Sequence, residues 1–243
     1  MNDFLYGLRK GLPIGLGYFA VSFSFGVAAV SAGITPLASI IISATNLSSA
    51  GQLAGIKLIV ANAAYFEIFL TVLLINIRYA LMSISLSQKI SPDMPLWQRA
   101  IVGYGITDEI YALSITEVRS VTFKYMLGLI LLPVVGWVGG TTAGVFLTDL
   151  MPQKLINAMG IALYAMFIAI IVPDAKKNYK ILSVILIAIA ISCLLYYTPY
   201  IKNIGLGFKI IISTTLASLF GTFVFPLKPL DDIKEDDNKE ASE

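Results

Sequence analysis

The chain is a succession of apolar stretches, and this pattern restricts its fold more than any other feature. Eight stretches can be read, at roughly 12–31, 36–60, 64–87, 98–116, 125–147, 154–172, 181–198 and 206–226, separated by short polar or proline-bearing turns. A helix needs about 20 apolar residues to cross the hydrocarbon layer of a bilayer. With 57% hydrophobic and 13% charged residues, the sequence predicts an all-α polytopic membrane protein of seven to eight hydrophobic segments.

The domain organisation follows from the same pattern. Residues 1–227 are predicted to form one transmembrane domain, and residues 228–243, which carry seven acidic residues and three lysines, a disordered acidic tail. Every loop is about a dozen residues or shorter, which argues against a folded catalytic domain and so against an enzyme. A phosphate-cradling G-x-x-x-x-G-K-[ST] loop is absent from the sequence, so we expect no nucleotide partner, and no nucleic acid. Since the chain has no histidine, a histidine-based metal site is impossible, and we expect no cofactor.

The distribution of basic residues conflicts with eight simple crossings. Lysines and arginines flank the loops near residues 9–10, 89–99, 119–124 and 174–180, and the positive-inside tendency places all four, with the N-terminus, in the cytoplasm. If all eight segments crossed the membrane in alternating directions, these four basic loops could not all lie on the cytoplasmic side. We therefore predict that segments 36–60 and 98–116 are broken or re-entrant; the alternative is eight plain spans that obey the charge rule imperfectly.

Both of these segments contain residues that weaken helices. The first includes Ser48-Ser49-Ala50-Gly51-Gln52, and the second includes Gly103-Tyr104-Gly105-Ile106-Thr107-Asp108-Glu109. Non-helical backbone at membrane depth is tolerated only where protein or a water-filled cavity satisfies its polar groups. Such interruptions are typical of the substrate site of a transporter.

Arg78 places a permanent cation deep in the apolar stretch 64–87. Even permissive insertion scales assign about 2.5–3.5 kcal/mol to an arginine at a helix centre. Glu67 is eleven residues earlier, or about 16 Å along a helix, so a direct salt bridge within this helix is excluded. The counter-charge must then come from Asp108, from Glu109 or from a bound substrate; the structural alternative is an arginine that extends to the lipid headgroups.

Asp108 and Glu109 diverge by about 100° on a helix and are expected to have different partners. A carboxylate in a cavity of low dielectric is a candidate proton carrier, which makes both residues candidates for proton or ion coupling. The alternative is that Thr107 or Asp108 simply caps a helix over 109–118. The two interpretations are compatible.

The polar inventory suits a zwitterion. Arg78, with Asn76, could hold a carboxylate, and an acidic side chain could hold an ammonium. The other candidate substrate-binding residues are Gln52, Tyr18, Ser49 and Thr107.

Glycines also recur at helical spacing. They stand at 7, 11 and 15, at 51 and 55, and at 136, 140 and 144, where they would let helices pack closely within the chain or against a partner subunit. Trp97 and Trp137 are predicted to be anchors at the membrane interface.

These motifs, in this order, resemble the AzlC family over about residues 8 to 225. The resemblance rests on Gly17-Tyr18, Phe25-Gly26, Ala50-Gly51-Gln52, Asn76-x-Arg78, Thr107-Asp108-Glu109, Gly136-Trp137 and Gly140. It implies the large subunit of a bacterial exporter of branched-chain amino acids in the cytoplasmic (inner) membrane, working with a small AzlD-type membrane subunit. Tyr79 departs from the family, which often has histidine there, so this chain lacks the imidazole that a histidine-based coupling scheme would require.

Together these observations lead to two hypotheses. The first is a proton-coupled secondary transporter that exports small hydrophobic amino acids, in which Arg78 and Asn76 bind the carboxylate. The second is a non-transporting membrane scaffold whose small partner carries the substrate site.

Overall fold

In this computed structural model the protein is described over residues 2–118, 121–198 and 204–225, with the side chains at 159, 160, 162–167, 169, 170 and 174 left out. The acidic segment predicted over 228–243 lies outside this range. The helices are α1 (Asp3–Ser31), α2 (Pro36–Thr45), α3 (Ser49–Val60), α4 (Tyr65–Ser87), α5 (Leu96–Tyr104), α6 (Asp108–Ile115), α7 (Phe123–Leu147), α8 (Gln153–Lys177), α9 (Tyr179–Tyr197) and α10 (Leu206–Val224), with a 3-10 turn at Thr148–Leu150.

The helix boundaries confirm the predicted fold class. Each of the eight apolar stretches is helical, and the two that were predicted to be broken are each two short helices. Within the described residues, five helices are long and apolar enough to cross a membrane: α1, α4, α7 with its 3-10 turn, α9 and α10. The protein is therefore an all-α, multi-pass membrane protein. One detail differs, because the helix predicted over 109–118 ends at Ile115.

The chain divides into two compact units, residues 1–167 and 168–243. In the second unit α9 and α10 pack antiparallel. The hydroxyls of Ser192 and Ser213 lie 2.7 Å apart, and Val184 covers Gly221, where an added Cβ would lie 3.0 Å from Cγ2 of that valine. The functional residues predicted from the sequence all lie in the first unit.

Glycines hold α1 and α7 together at backbone contact. A Cβ on Gly7 or Gly11 would collide with the carbonyl oxygens of Tyr125 and Leu129, and a Cβ on Gly136 would collide with that of Gly15. The glycine series on the two helices thus face each other within the chain, where close approach gives the dispersion contacts that hold helices together in lipid. Because the residue numbers of the contacts rise together on both helices, α1 and α7 run parallel.

The broken segment α5–α6, here called the second hairpin, returns to the side from which it starts. Ile90, before α5, forms a parallel bridge with Val121, after α6, and the Ser91 N–H donates to the Val121 carbonyl at 3.2 Å. The two ends of the hairpin are therefore neighbours.

The parallel course of α1 and α7 then determines the path of α2–α3, here called the first hairpin. Two parallel spans must be separated by an odd number of crossings. Since α4 crosses and the second hairpin does not, the first hairpin must also return to its starting side. The position of α3 agrees with this path, because Ile56 near the end of the first hairpin packs against Phe25 and Ala29 near the end of α1.

The two hairpins consequently enter the bundle from opposite ends of α4. Their tips meet where α5 ends, because the Tyr104 hydroxyl donates to the Ala44 carbonyl of α2 at 2.5 Å. Asn76, the middle residue of α4, lies against the tip of the first hairpin. The polar interruptions of both segments are thus gathered near the middle of α4.

Candidate functional site

The break between α2 and α3 is closed by side chains. Residues 46–48 are not helical, and the Ser48 hydroxyl accepts from the Gly51 N–H at 3.1 Å as the cap of α3. At the other end, Nε2 of Gln52 donates to the carbonyls of Asn46 at 2.7 Å and Ile42 at 3.3 Å. These side chains thus supply hydrogen bonds to backbone groups at the break.

A chain of hydroxyls extends this network into the helix bundle. Nε2 of Gln52 also donates to Ser43 Oγ at 3.1 Å, and the Ser43 hydroxyl lies 2.5 Å from that of Thr141 on α7. Thr141 in turn donates to the Ser22 carbonyl of α1 at 3.3 Å. The first hairpin is therefore attached to the α1–α7 pair through buried polar contacts.

Asn76 faces this hairpin from α4. Its amide lies against Gly51, where an added Cβ would come within 3.1 Å of both terminal atoms, and its Nδ2 donates to Asn46 Oδ1 at 3.4 Å. Its own Oδ1 is buried and accepts no hydrogen bond from any described residue. We name Asn46, Gln52 and Asn76 the amide site.

A cavity of about 190 Å³ adjoins the amide site. Asn46, Gln52 and Thr45 line its polar end, and the rest of its wall is aliphatic or glycine: Ile42, Gly51, Gly55, Ile56, Ile59, Ile68 and Val72. This volume is several times the ~30 Å³ that one water molecule occupies in the liquid. The cavity is therefore large enough for a small organic molecule with one polar end.

Arg78 faces the second hairpin. Its Nη1 lies 2.8 Å from Asp108 Oδ2 at the start of α6, and the two side chains are 46% and 41% exposed. Its Nη2 donates to the Tyr79 hydroxyl at 3.1 Å, and the guanidinium carbon lies 4.9 Å from the centroid of the Tyr79 ring. The exposed fractions show that the pair is not sealed inside this chain.

Glu109 points away from this ion pair to a tyrosine on α1. The Tyr18 hydroxyl donates to Glu109 Oε2 and lies 2.6 Å from Thr107 Oγ1. Thr107 is the residue that precedes α6, but its side chain forms no cap hydrogen bond to that helix. We name Arg78, Asp108, Glu109, Tyr18 and Thr107 the charged cluster.

The predicted site residues therefore fall into two groups. The charged cluster contains five of them, and the amide site contains Gln52 and Asn76. Asn76 and Arg78 were expected to bind one carboxylate together. In this structure they contact different hairpins, because residues two apart on a helix project about 200° apart. Ser49 is half-buried in the first turn of α3, and the hydroxyl that caps this helix belongs to its neighbour Ser48.

Trp137 corrects a second expectation. It is 3% exposed and packs edge-on against Tyr18 with ring centroids 5.2 Å apart, whereas the sequence predicted an interfacial anchor. The reason is its position near the middle of α7, beside the glycine series that brings α7 against α1. Trp97, in contrast, is 59% exposed at the start of α5.

Sequence reasoning missed an ion pair at the base of the second hairpin. Nζ of Lys10 lies 2.6 Å from Glu117 Oε2, and the Glu117 side chain is 5% exposed. Nearby, the Thr122 hydroxyl donates to Asp3 Oδ2 at 2.9 Å. These contacts join the first turns of α1 to the end of the second hairpin and the start of α7, across more than a hundred residues of sequence, so local spacing carries no signal for them.

Comparison with known proteins identifies relatives along most of the chain. An uncharacterized membrane protein of Archaeoglobus fulgidus is 29% identical over 181 residues, which cover 72% of this chain and 78% of the relative. The inner membrane protein YgaZ of Escherichia coli K12 is 26% identical over 185 residues, covering 73% and 76% of the two chains. An uncharacterized membrane protein of Helicobacter pylori is 25% identical over 220 residues, covering 85% and 93%. No solved structure matches the chain.

The family model of the AzlC protein matches residues 13–151. This range is more than half of the chain, runs from α1 to the residue after the 3-10 turn, and contains both hairpins with the amide site and the charged cluster. The chain accordingly belongs to the AzlC family.

Proposed function

We propose that this protein is the transporting subunit of a secondary exporter of small hydrophobic amino acids, with the branched-chain amino acids as its cargo. The observation that carries the proposal is the contact of Tyr104 with Ala44, which joins two broken hairpins entering from opposite ends of α4. Discontinuous helices that meet near mid-membrane are how secondary transporters build their substrate sites.

The cargo class follows from the cavity beside the amide site. Its wall is mainly isoleucine, valine and glycine, which suits a short branched aliphatic side chain. Its polar end offers neutral amide and hydroxyl groups that could bind one end of the molecule. The carboxylate role assigned to Arg78 by sequence is replaced in this proposal by a role in coupling, since the guanidinium is held by Asp108 and Tyr79.

Coupling to protons is assigned to the charged cluster. The Arg78–Asp108 pair joins α4 to the tip of the second hairpin. A proton on Asp108 would remove its attraction for the guanidinium and release this tip. Glu109, which accepts from the neutral Tyr18 hydroxyl, is the second carboxylate that a proton can reach. Alternation between the paired and released states would couple proton entry to cargo exit.

The paths of the hairpins also support an orientation. Because both hairpins return, the start of α1, the loop before α5 and the start of α7 lie on one side, which carries Arg9, Lys10, Lys89 and Lys124. The positive-inside tendency makes this the cytoplasmic side of a bacterial inner membrane, with the N-terminus inside.

The scaffold alternative loses its main support. It relied on the glycine series as a surface for a partner, but the glycines of α1 and α7 face each other within this chain. A small AzlD-type subunit remains the proposed partner for assembly or for transport.

The test is transport by purified protein in proteoliposomes, with and without the small subunit. We expect accumulation of labelled leucine against its gradient when protons flow the opposite way. Asp108→Asn should keep downhill leucine movement but lose the response to a pH gradient, whereas Asp93→Asn, an exposed loop carboxylate, should behave as the unmodified protein. If neither preparation moves leucine faster than empty liposomes, the proposed function is wrong.

A further inference from the structure

Gly55 is a buried glycine that close helix packing does not explain. It lies in the middle of α3, and an added Cβ would lie 3.8 Å from Cγ2 of Val72, which is an ordinary van der Waals contact. The buried glycines Gly7 and Gly11 of α1 are different, because a Cβ on either of them would collide with a backbone carbonyl of α7. A side chain at residue 55 would therefore fit without moving the backbone.

The other glycine on this face of α3 has a steric reason. Gly51 lies one turn before Gly55, and a Cβ there would come 3.0 Å from Nδ2 and 3.1 Å from Oδ1 of Asn76. After proline, glycine is the least favourable residue in a helix interior, because it has the most backbone freedom to lose. Gly51 thus makes room for a neighbouring side chain, whereas Gly55 weakens its helix without a contact that requires it.

The space in front of Gly55 belongs to the cavity of about 190 Å³. Gly55 is part of the cavity wall, together with Ile59 of the same helix and with Ile68 and Val72 of α4. These three aliphatic side chains are branched at Cβ and have few rotamers, so they cannot easily fold back to make room. A methyl group at residue 55 would therefore be added at the expense of the free volume of the cavity.

We propose that Gly55 determines specificity at this site, because its missing side chain sets the largest aliphatic group that the cavity admits. The identity of the cargo rests on the proposed function. Selection is by the length and bulk of the aliphatic chain, whichever polar groups hold the other end of the molecule. One methylene in a hydrophobic pocket changes discrimination about 10- to 200-fold, so one methyl group at residue 55 is enough to separate leucine from valine.

Leucine and valine, which differ by one methylene, are the probes. Binding of each labelled amino acid is measured on the full-length protein in nanodiscs. We expect Gly55→Ala to lower the ratio of leucine affinity to valine affinity about tenfold, and Gly55→Leu, which fills the cavity, to abolish binding of both. An unchanged ratio in Gly55→Ala, or unchanged binding by Gly55→Leu, would overturn the proposal. So would the absence of binding of both amino acids by the unmodified protein.

A second substitution separates a steric effect inside the cavity from a general disturbance of α3. Val72→Ala removes Cγ2, the atom that lies nearest to the added Cβ, and returns space to the cavity. We expect the double variant Gly55→Ala, Val72→Ala to regain most of the preference for leucine. If the second substitution recovers none of this preference, the effect of Gly55→Ala is not steric and the proposal is wrong.

Gly103 on α5 provides the matched controls. It is not among the residues that line the cavity, and no atom of the described residues lies within 4 Å of its added Cβ. Gly103→Ala and Gly103→Leu should therefore bind both amino acids as the unmodified protein does.

The melting temperature gives a readout that needs no ligand. Gly55→Ala should melt at the same temperature as the unmodified protein or above it, because alanine favours the helix and its Cβ fits. A clear fall would show that packing requires a glycine at residue 55, and would overturn the proposal.

Failure of this proposal and failure of the proposed function give different results. A shifted affinity ratio in Gly55→Ala, without leucine transport by the unmodified protein, would refute only the proposed function. Leucine transport by Gly55→Ala with an unchanged preference over valine would refute only the role of Gly55.

Discussion

The hydroxyl of Tyr104, the last residue of α5, donates a hydrogen bond to the carbonyl of Ala44 near the end of α2. Each of these residues lies at the inner end of a broken hairpin, and the two hairpins start from opposite ends of α4. A carbonyl that α2 cannot pair within itself is thus satisfied by the other hairpin. The contact makes the position of one tip depend on the position of the other.

Removing this hydroxyl should loosen the contact between the tips. Tyr104→Phe deletes one hydrogen bond, and we expect the free energy of unfolding to fall by about 0.5–1.5 kcal/mol. Thermal unfolding in detergent measures this change. Tyr65→Phe, at a side chain that is 92% exposed, should have no effect, and equal shifts for the two variants would show that the bond is unimportant.

The Arg78–Asp108 pair should show energetic coupling. Arg78→Gln and Asp108→Asn each leave one charge without its partner, while the double variant leaves none. For two groups in contact we expect the double variant to be more stable than the sum of the single effects by roughly 0.5–3 kcal/mol. The value should lie towards the lower end of this range, because the two side chains are 46% and 41% exposed. A double-mutant cycle on unfolding checks this, and strict additivity would exclude an interaction.

Neighbouring glycines on α7 offer a test of the helix pair. A Cβ on Gly140 would collide with the Phe19 carbonyl and the Ser22 hydroxyl, whereas a Cβ on Gly139 meets only the Phe19 ring at 4.0 Å. Gly140→Ala should therefore destabilise the protein by about 1–3 kcal/mol. Gly139→Ala should be neutral or stabilising by up to ~1 kcal/mol. Similar stability of the two variants would mean that α1 and α7 do not approach through this face.

Cysteine accessibility checks the paths of the hairpins. With Cys193 replaced by serine, single cysteines at Ala32 and Ala64 flank the first hairpin, and those at Asp93 and Val118 flank the second. We expect a membrane-impermeant thiol reagent to label the first two positions from one side of the membrane and the last two from the other. Labelling of Ala32 and Ala64 from opposite sides would show that the first hairpin crosses.

The sequence predicted the segments and their interruptions because these depend on local composition. Runs of apolar residues locate the spans, and serine, asparagine and glycine around residue 48 weaken the helix there. The basic loops near residues 10, 89 and 124 cannot all be cytoplasmic if every segment crosses the membrane. This conflict also pointed to two segments that do not cross, and the two returning hairpins resolve it.

Other features depend on which surfaces meet. The separation of Asn76 from Arg78 follows from their angle on α4, but their partners depend on where two hairpins insert. The burial of Trp137 depends on the approach of α1, and the Lys10–Glu117 pair joins residues 107 positions apart. Local spacing contains none of this information.

Leucine counterflow in proteoliposomes tests the central claim most directly. Vesicles loaded with unlabelled leucine and containing this protein, with the small subunit added if required, are diluted into a trace of labelled leucine. The account predicts transient accumulation of label by the unmodified protein and by Gly103→Leu, and its loss in Gly55→Leu, whose cavity is filled. Equal accumulation by Gly55→Leu and the unmodified protein, or none above empty vesicles by any of them, would contradict it.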